Sequence, residues 1–217
     1  MNRTARALAT LVAIFLLGAA LASRYHCNDL SRHVDRRREE DGQRSLGEAE
    51  NRRLRQHLDA LRSFANAHAF NTKIVFLVDM GLPSGKYRFF VADLRNDTVL
   101  FAGLVAHGSG DHYFAAHPNF SNLTGSNCTS LGKYRIGAPY NGRFGRAYKL
   151  YGLDPTNDQA FARNIVLHAF SAVPDRQTDP EPICNSLGCP MVSPGFFGRL
   201  EPLIDGSPRP ILLYIFN

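Results

Sequence analysis

A cysteine and its neighbours near the C-terminus have residue types that favour reactive chemistry. Cys189 lies in the segment NSLGCPMVS, directly between Gly188 and Pro190. Proline disfavours helical backbone at the residue before it, and glycine adopts conformations that are closed to other residues. Cys189 is therefore expected on extended backbone in a tight turn, with its side chain held in one direction. That setting suits a reactive thiol better than a buried structural one.

A thiol becomes a strong nucleophile as the thiolate, and a neighbouring histidine is the usual base that takes its proton. The chain has eight histidines, of which His168 directly follows the apolar run Ile165–Leu167. This position predicts the tip of a buried strand, which is a rigid mount for a catalytic base. Spacing alone supports equally well a core histidine whose ring is satisfied by backbone groups.

The backbone of the cysteine turn also limits how an oxyanion would be bound. Because Pro190 has no N–H, an oxyanion hole here must use amides at or before Cys189. The amides of Gly188 and Cys189 are the candidates, and the hydroxyl of Ser186 is expected to brace the turn.

The elements that must position these groups are predicted to be mainly β-strands. Short apolar or alternating runs separated by turn residues are typical of strands. Six segments have this pattern: KIVFLVDM, YRFFVADL, TVLFAGLVA, AYKLYGL, NIVLHAF and RPILLYIF. The first three predict a meander, whereas residues 107–146, rich in Gly, Ser, Asn and aromatic residues, predict one long ordered loop.

The first 22 residues have the pattern of an export signal. Two cationic residues, Arg3 and Arg6, precede an uncharged apolar run that ends in Ala20-Leu21-Ala22. The run is short of the roughly 20 apolar residues that a spanning helix needs. Residues 1–22 therefore predict a signal peptide, with a retained membrane anchor as the alternative. Either interpretation implies export to the periplasm or cell envelope.

Two further parts separate this leader from the strands. Residues 23–45 are polar and heavily charged, and they predict a linker. Residues 46–69 predict an amphipathic helix that begins at a capping box of Ser45 and Glu48. Its apolar face consists of Leu54, Leu58, Leu61 and Ala65. The predicted fold class is mostly β, a β-rich α+β domain with one N-terminal helix.

Composition excludes some classes of partner. The net charge is +6 and the isoelectric point about 9.4, but no dense Lys/Arg stripe alternates with aromatic residues, so nucleic acid is not a predicted partner. No two cysteines lie near a histidine pair at zinc-ligand spacing, so no metal site is predicted.

The paired segments IVLHAF and SLGCPMVS resemble the His…Ser-x-Gly-Cys signature of the L,D-transpeptidase (YkuD-like) family, and more closely its branch with proline after the cysteine. Upstream, VDMGLPSGKYRFFVADLRNDTVLFAGLVAHGSG is similar to that branch's first strands and Ala-His-Gly turn. The stretch FSNLTGSNCTSLGKYRIGAPYNGRFGRAYKLYGLD is similar to the part that follows. The resemblance covers residues 70–217, the predicted catalytic domain.

This resemblance implies a β-sandwich or barrel that acts on peptidoglycan stem peptides without a cofactor. Cys189 would attack the carbonyl of the L-residue in an L,D-peptide bond, and His168 would be the base. The resulting thioester would pass to an amine of a second stem. A backbone carbonyl commonly fixes the histidine tautomer in this family. The alternatives are an L,D-carboxypeptidase with the same acyl-enzyme and a non-catalytic wall-binding module. An amidase or endopeptidase of another fold is disfavoured, because such an enzyme would normally carry its cysteine on a helix.

Several residues extend or depart from the family pattern. Ala169 stands where the family usually has glycine, and Met191 stands where many members have a substrate-binding arginine. His107 opens a Gly-rich turn and is predicted to contact a substrate carboxylate, with a loop-holding histidine as the alternative. Asn122 and Met191 are further candidate substrate contacts, although loop ordering is the better interpretation of Asn122.

Export makes paired cysteines the expectation. Cys128 and Cys184 are predicted to form a disulfide that pins the long loop over the cleft and leaves Cys189 free. A Cys184–Cys189 bond would instead indicate a resting or redox-regulated enzyme.

Overall fold

A computed structural model describes residues 47–217. The predicted leader, residues 1–22, and the predicted linker, residues 23–45, lie outside the described residues. Within residues 47–217, none of the helices has the length and apolarity needed to cross a bilayer.

In the described part of the chain, helix α1 precedes the sheet and spans Glu48–Ala67. Its buried residues are the four that the spacing predicts: Leu54, Leu58, Leu61 and Ala65. They pack on outward-facing side chains of the sheet, among them Val75, Leu77 and Phe90. The N-cap is Gly47, whose N–H donates to the Glu50 carboxylate over 3.0 Å. The predicted partner Ser45 lies outside the described residues.

Over residues 47–217, nine strands form one sheet. They are β1 Ile74–Asp79, β2 Phe89–Asp93, β3 Thr98–Gly103, β4 Val105–Ala106, β5 Gly132–Gly142, β6 Gly145–Gly152, β7 Val166–Ala169, β8 Met191–Val192 and β9 Leu212–Phe216. The order across the sheet is β3-β2-β1-β9-β5-β6-β7-β8-β4. Since only Leu104 separates β3 from β4, the two ends of this order are joined through the chain, and the sheet is nearly closed.

The predicted fold class is confirmed, because the described residues are mostly β. The predicted meander is confirmed as well, since β1 pairs antiparallel with β2 and β2 with β3. The core enclosed by the sheet includes Phe76, Val91, Tyr148, Leu167 and Leu213.

The prediction of a single long loop over residues 107–146 is wrong. This range contains β5, which has 11 residues, and the start of β6. Tyr134 and Ile136 alternate inward with Lys133 and Arg135, as in any half-buried strand. The strand was not predicted because glycines and asparagines surround this alternating pattern.

A second helix also corrects the prediction of a single N-terminal one. Helix α2 spans Pro194–Asp205, with Pro194 in its first turn. The Ser193 hydroxyl caps it by accepting from the Phe196 amide over 3.1 Å. Phe196, Phe197 and Leu200 bury its inner face. Helix α2 follows β8 directly, so its cap stabilises the end of the strand that carries the cysteine turn.

Candidate active site

Strands β7 and β8 bring the predicted nucleophile and the predicted base together. They are parallel neighbours, and His168 lies opposite Met191. Cys189 precedes Met191 by two residues and lies in the bend that leads into β8. The backbone amide of Val166, the first residue of β7, forms a hydrogen bond with Cys189. The cysteine turn therefore lies beside the start of β7, the strand that also carries His168.

The thiol of Cys189 is directed at the chain just before β7. Its Sγ lies 3.8 Å from the carbonyl oxygen of Asn164. Burial raises the pKa of the thiol, whereas the Val166 amide and the charges of Arg163 and Lys149 lower it, and burial is the largest effect. At neutral pH the group is a thiol, so it needs a base to become a nucleophile.

His168 has the properties that such a base requires. Its side chain is 2% exposed, and burial lowers the pKa of the imidazole. Its Nδ1 donates to the carbonyl oxygen of Ala169 over 2.9 Å. With Nδ1 protonated, Nε2 carries the free lone pair. A neutral, tautomer-fixed imidazole of this kind can accept a proton from sulfur.

One aromatic side chain that sequence reasoning missed covers this imidazole. Phe144 stacks on His168 with ring centroids 4.9 Å apart and an interplanar angle of 16°. Its edge contacts Phe170, with centroids 5.8 Å apart. Phe144 lies in the turn between β5 and β6, in the segment NGRFG. The sequence signal that could have identified Phe144 is an aromatic residue at a hairpin tip flanked by glycine.

The cysteine turn needs glycine at position 188. Gly188 has φ +112°, and a Cβ there would lie 2.9 Å from the Cys128 carbonyl oxygen. The Gly188 amide donates to the Ser186 hydroxyl over 3.1 Å, so Ser186 braces the turn. That bond also occupies one of the two amides predicted to bind an oxyanion. To bind the oxyanion, the Gly188 amide would have to break its hydrogen bond to the Ser186 hydroxyl, whereas the Cys189 amide would not have to break such a bond.

His107 lies beneath the turn rather than in an open cleft. It is 1% exposed, and its carbonyl oxygen accepts from the Ser186 amide over 2.8 Å. The Arg88 guanidinium donates to Nδ1 over 2.7 Å, and the Asn185 amide group lies 3.0 Å from Nε2. Burial, followed by the charge of Arg88, lowers the pKa of His107 to about 3. This placement favours the loop-holding interpretation over substrate contact.

The other two candidate substrate contacts also lie in structural surroundings. Met191 is buried among Leu104, Val173 and Ile183. The Asn122 amide donates to the Asp158 carboxylate over 2.7 Å and so ties two loops together. Substrate contact by these residues stays a prediction.

The predicted disulfide between Cys128 and Cys184 is wrong, because both residues are free thiols, as is Cys189. The Cys128 thiol instead donates to the carbonyl oxygen of Ser126 over 3.3 Å. Cys184 packs into the apolar cluster that contains Ile183 and Met191. Cys27 lies outside the described residues. Within residues 47–217, no group of three or more His, Cys, Asp or Glu side chains is placed to hold a metal ion.

Comparison with known proteins shows which family the chain resembles. The family model described as "L,D-transpeptidase catalytic domain" matches residues 46–215. No curated protein sequence matches the chain significantly.

Solved structures with a similar arrangement are distant in sequence. An L,D-transpeptidase from Xylanimonas cellulosilytica is 15% identical, with a TM-score of 0.38, over 71% of this chain and 68% of that one. An L,D-transpeptidase from Mycobacterium smegmatis is 12% identical, with a TM-score of 0.42, over 67% and 59%. The helical cell shape determining protein Pgp2 from Campylobacter jejuni is 11% identical, with a TM-score of 0.41, over 74% and 55%. The chain thus spans little more than half the length of the latter two.

The family match extends over most of the chain, and it includes α1, β1 to β8, the cysteine turn and all but the last residue of β9. The family predicted from the paired segments IVLHAF and SLGCPMVS is thereby confirmed. The chain belongs to the family of L,D-transpeptidase catalytic domains.

Proposed function

We propose that the chain is a peptidoglycan L,D-transpeptidase in which Cys189 is the nucleophile and His168 the general base. The observation that supports this best is the pairing of β7 with β8, with His168 opposite Met191. This pairing supports the proposal because β7 carries the His168 imidazole and the turn that carries the Cys189 thiol leads directly into β8. Both groups have the protonation states that a thiol–imidazole mechanism needs before substrate binds.

In the first half of the reaction, Nε2 of His168 takes the proton of the Cys189 thiol. The thiolate sulfur attacks the carbonyl carbon of the L-residue in the L,D-peptide bond, and the carbonyl electrons move onto oxygen. The Cys189 amide donates to this oxyanion, and the Gly188 amide joins it on leaving Ser186. When the carbonyl re-forms, the C–N bond breaks, and the departing amine of the D-residue takes the proton from His168.

In the second half, the amine of another stem attacks the thioester and transfers its proton to His168. The C–S bond breaks, the new amide forms and the thiolate recovers the proton. Water in place of the amine would give an L,D-carboxypeptidase from the same acyl-enzyme. The substrate is the peptidoglycan of the envelope, and residues 1–22 would bring the chain there as a cleaved signal or as a membrane tether.

A carbapenem tests the acyl-enzyme, since its strained amide acylates thiols of this kind. Intact-mass spectrometry should show one adduct on the wild type and none on Cys189→Ala. Cys184→Ala, which removes another free thiol near the turn, is the matched control and should keep the adduct. Folded wild-type protein without an adduct would overturn the proposal and favour a wall-binding module.

Defined tetrapeptide muropeptides then separate the two acceptors. Cross-linked dimers indicate transpeptidation, and free tripeptides alone indicate carboxypeptidation. His168→Gln should abolish both products while leaving the unfolding midpoint close to that of the wild type.

A further inference from the structure

Arg163 holds together several parts of the chain that surround the cysteine turn. Its guanidinium donates four hydrogen bonds, all to one loop. The acceptors are the Cys128 carbonyl at 2.6 Å, the Ser121 carbonyl at 3.0 Å, and the Ser126 and Ser130 hydroxyls at 3.4 Å each. Arg163 also directly precedes Asn164, whose carbonyl oxygen faces the Cys189 sulfur. One side chain thus connects residues 121–130 to the approach to β7.

This guanidinium lies immediately behind the nucleophile turn. A Cβ built at Gly188 would be 3.2 Å from Arg163 Nη2 and 2.9 Å from the Cys128 carbonyl oxygen. That oxygen is the acceptor of the shortest Arg163 hydrogen bond. Arg163 therefore packs against the Cys128 carbonyl, and this carbonyl packs against Gly188, the residue that precedes Cys189 in sequence.

The charge of Arg163 is well placed to act on the sulfur. All four of its hydrogen-bond acceptors are neutral oxygens, so these contacts leave the guanidinium charge uncompensated. Among residues 47–217, two cations act on Cys189 from the packed elements: Arg163 from the chain before β7 and Lys149 from β6. His168 lies in β7, the strand paired with β8. The two cations both favour a negative charge on the sulfur.

We propose that Arg163 is a positioning residue for Cys189: it fixes the Cys128 carbonyl and Gly188 behind the turn, and its charge favours the thiolate. The acyl-transfer role of that thiolate rests on the proposed function. The effect on thiol ionisation does not, because it can be measured without any peptidoglycan substrate.

The test is the rate of Cys189 alkylation by iodoacetamide as a function of pH, followed on the full chain by peptide mass spectrometry. Arg163→Gln should move the midpoint of the profile to higher pH. The rate at neutral pH should fall roughly threefold to tenfold, because the opposite charge is lost. Arg163→Lys keeps the charge and should keep the midpoint near that of the wild type.

Two further variants separate charge from anchoring. Lys149→Met removes the other cation without touching residues 121–130, and it should move the midpoint in the same direction. Arg135→Gln removes a cation that stacks on Tyr151 instead, and it should leave the midpoint unchanged.

A uniform fall in rate at every pH, with an unchanged midpoint in Arg163→Gln, would show a purely structural anchor and overturn the charge role. If Arg163→Gln does not fold, Arg163→Lys provides the test. The charge role is also overturned if the midpoint of the pH profile rises as much in Arg163→Lys, which keeps the charge, as it does in Lys149→Met. A wild type that is alkylated normally but forms no carbapenem adduct would remove the proposed function and leave this inference standing.

Discussion

The aromatic ring of Phe144 stacks on the imidazole of His168, although Phe144 belongs to the turn between β5 and β6 and His168 belongs to β7. Phe144 is 52% exposed, so one ring face covers the imidazole and the other faces solvent. The hairpin tip thus excludes water from the predicted base. We therefore expect the protonation of His168 to depend on a residue outside its own strand.

We expect Phe144→Ala to move the acid limb of carbapenem acylation to higher pH. Burial lowers the pKa of His168, and removal of the covering ring admits water, so this pKa should rise toward its ordinary value. Only the neutral imidazole accepts the thiol proton, so a higher pKa leaves less active base at neutral pH. The pH–rate profile of carbapenem acylation measures this change in the acid limb.

The matched control is Phe161→Ala. Phe161 is 50% exposed and stacks on Tyr151 with centroids 4.9 Å apart, so it is similar in exposure and packing but does not touch the imidazole. An equal shift of the acid limb in both variants would contradict the role of Phe144.

Gly188→Ala should destabilise the fold more than Gly125→Ala, a substitution at another glycine with positive φ. A methyl group at Gly188 meets the Cys128 carbonyl oxygen, whereas one at Gly125, with φ +81°, meets nothing within 4 Å. Gly125→Ala should cost about 1 kcal/mol for the left-handed backbone alone. Gly188→Ala should cost about 1–3 kcal/mol more and lose most carbapenem acylation. Urea unfolding measures the first effect, and equal losses in the two variants would refute the argument.

His107→Leu should lower the free energy of unfolding by about 1–3 kcal/mol at neutral pH, because the Arg88 and Asn185 groups lose a buried partner. Wild-type stability over acidification supplies a second readout. In the native state the pKa of His107 is lowered to about 3, whereas in the unfolded chain it is near its ordinary value. Between that value and pH 3, the unfolded state binds a proton that the native state does not.

Wild-type stability should therefore fall as the pH drops through this window, with a His107 contribution of at most about 1.4 kcal/mol per pH unit. His107→Leu should show a shallower fall in urea unfolding at successive pH values. An unchanged stability together with a raised KM for a tetrapeptide donor would support substrate contact instead.

Non-reducing peptide mapping should recover Cys128, Cys184 and Cys189 as unlinked thiols. Cys184 should react slowly with iodoacetamide, because burial raises the pKa of its thiol and keeps the thiolate fraction small. A Cys128–Cys184 peptide would contradict the packing around both residues.

The strands were predictable where alternation or apolar runs stood clear of turn residues. Leu54 and Leu58 likewise identified the inner face of α1. Strand β5 escaped prediction because its alternating residues, such as Tyr134 and Ile136, are interrupted by glycine, alanine and proline. Helix α2 escaped because Pro194, Gly195 and Pro202 are typical of loops, and only its packing on the sheet compensates for them.

The paired motifs single out Cys189 and His168 as the candidate pair, since a thiol turn and a strand-tip histidine are local features. The contacts of Phe144 and Arg163 depend on strand pairing and loop packing, and no local pattern predicts them. The disulfide prediction failed for a related reason: Cys128 is buried and Cys184 half-buried in different surroundings, which the sequence order does not reveal.

Strand β8 has only two residues, yet it lies between β7 and β4 and not at a margin of the sheet. A two-residue strand with one free side would fray. Here β8 pairs with β7 on one side and with β4 on the other, and β4 connects through Leu104 to β3 at the opposite end of the strand order. A peptidoglycan strand bound to Cys189 as the proposed thioester would therefore pull on the whole sheet. Tension in the wall would be distributed over many interstrand hydrogen bonds before it could displace the thioester.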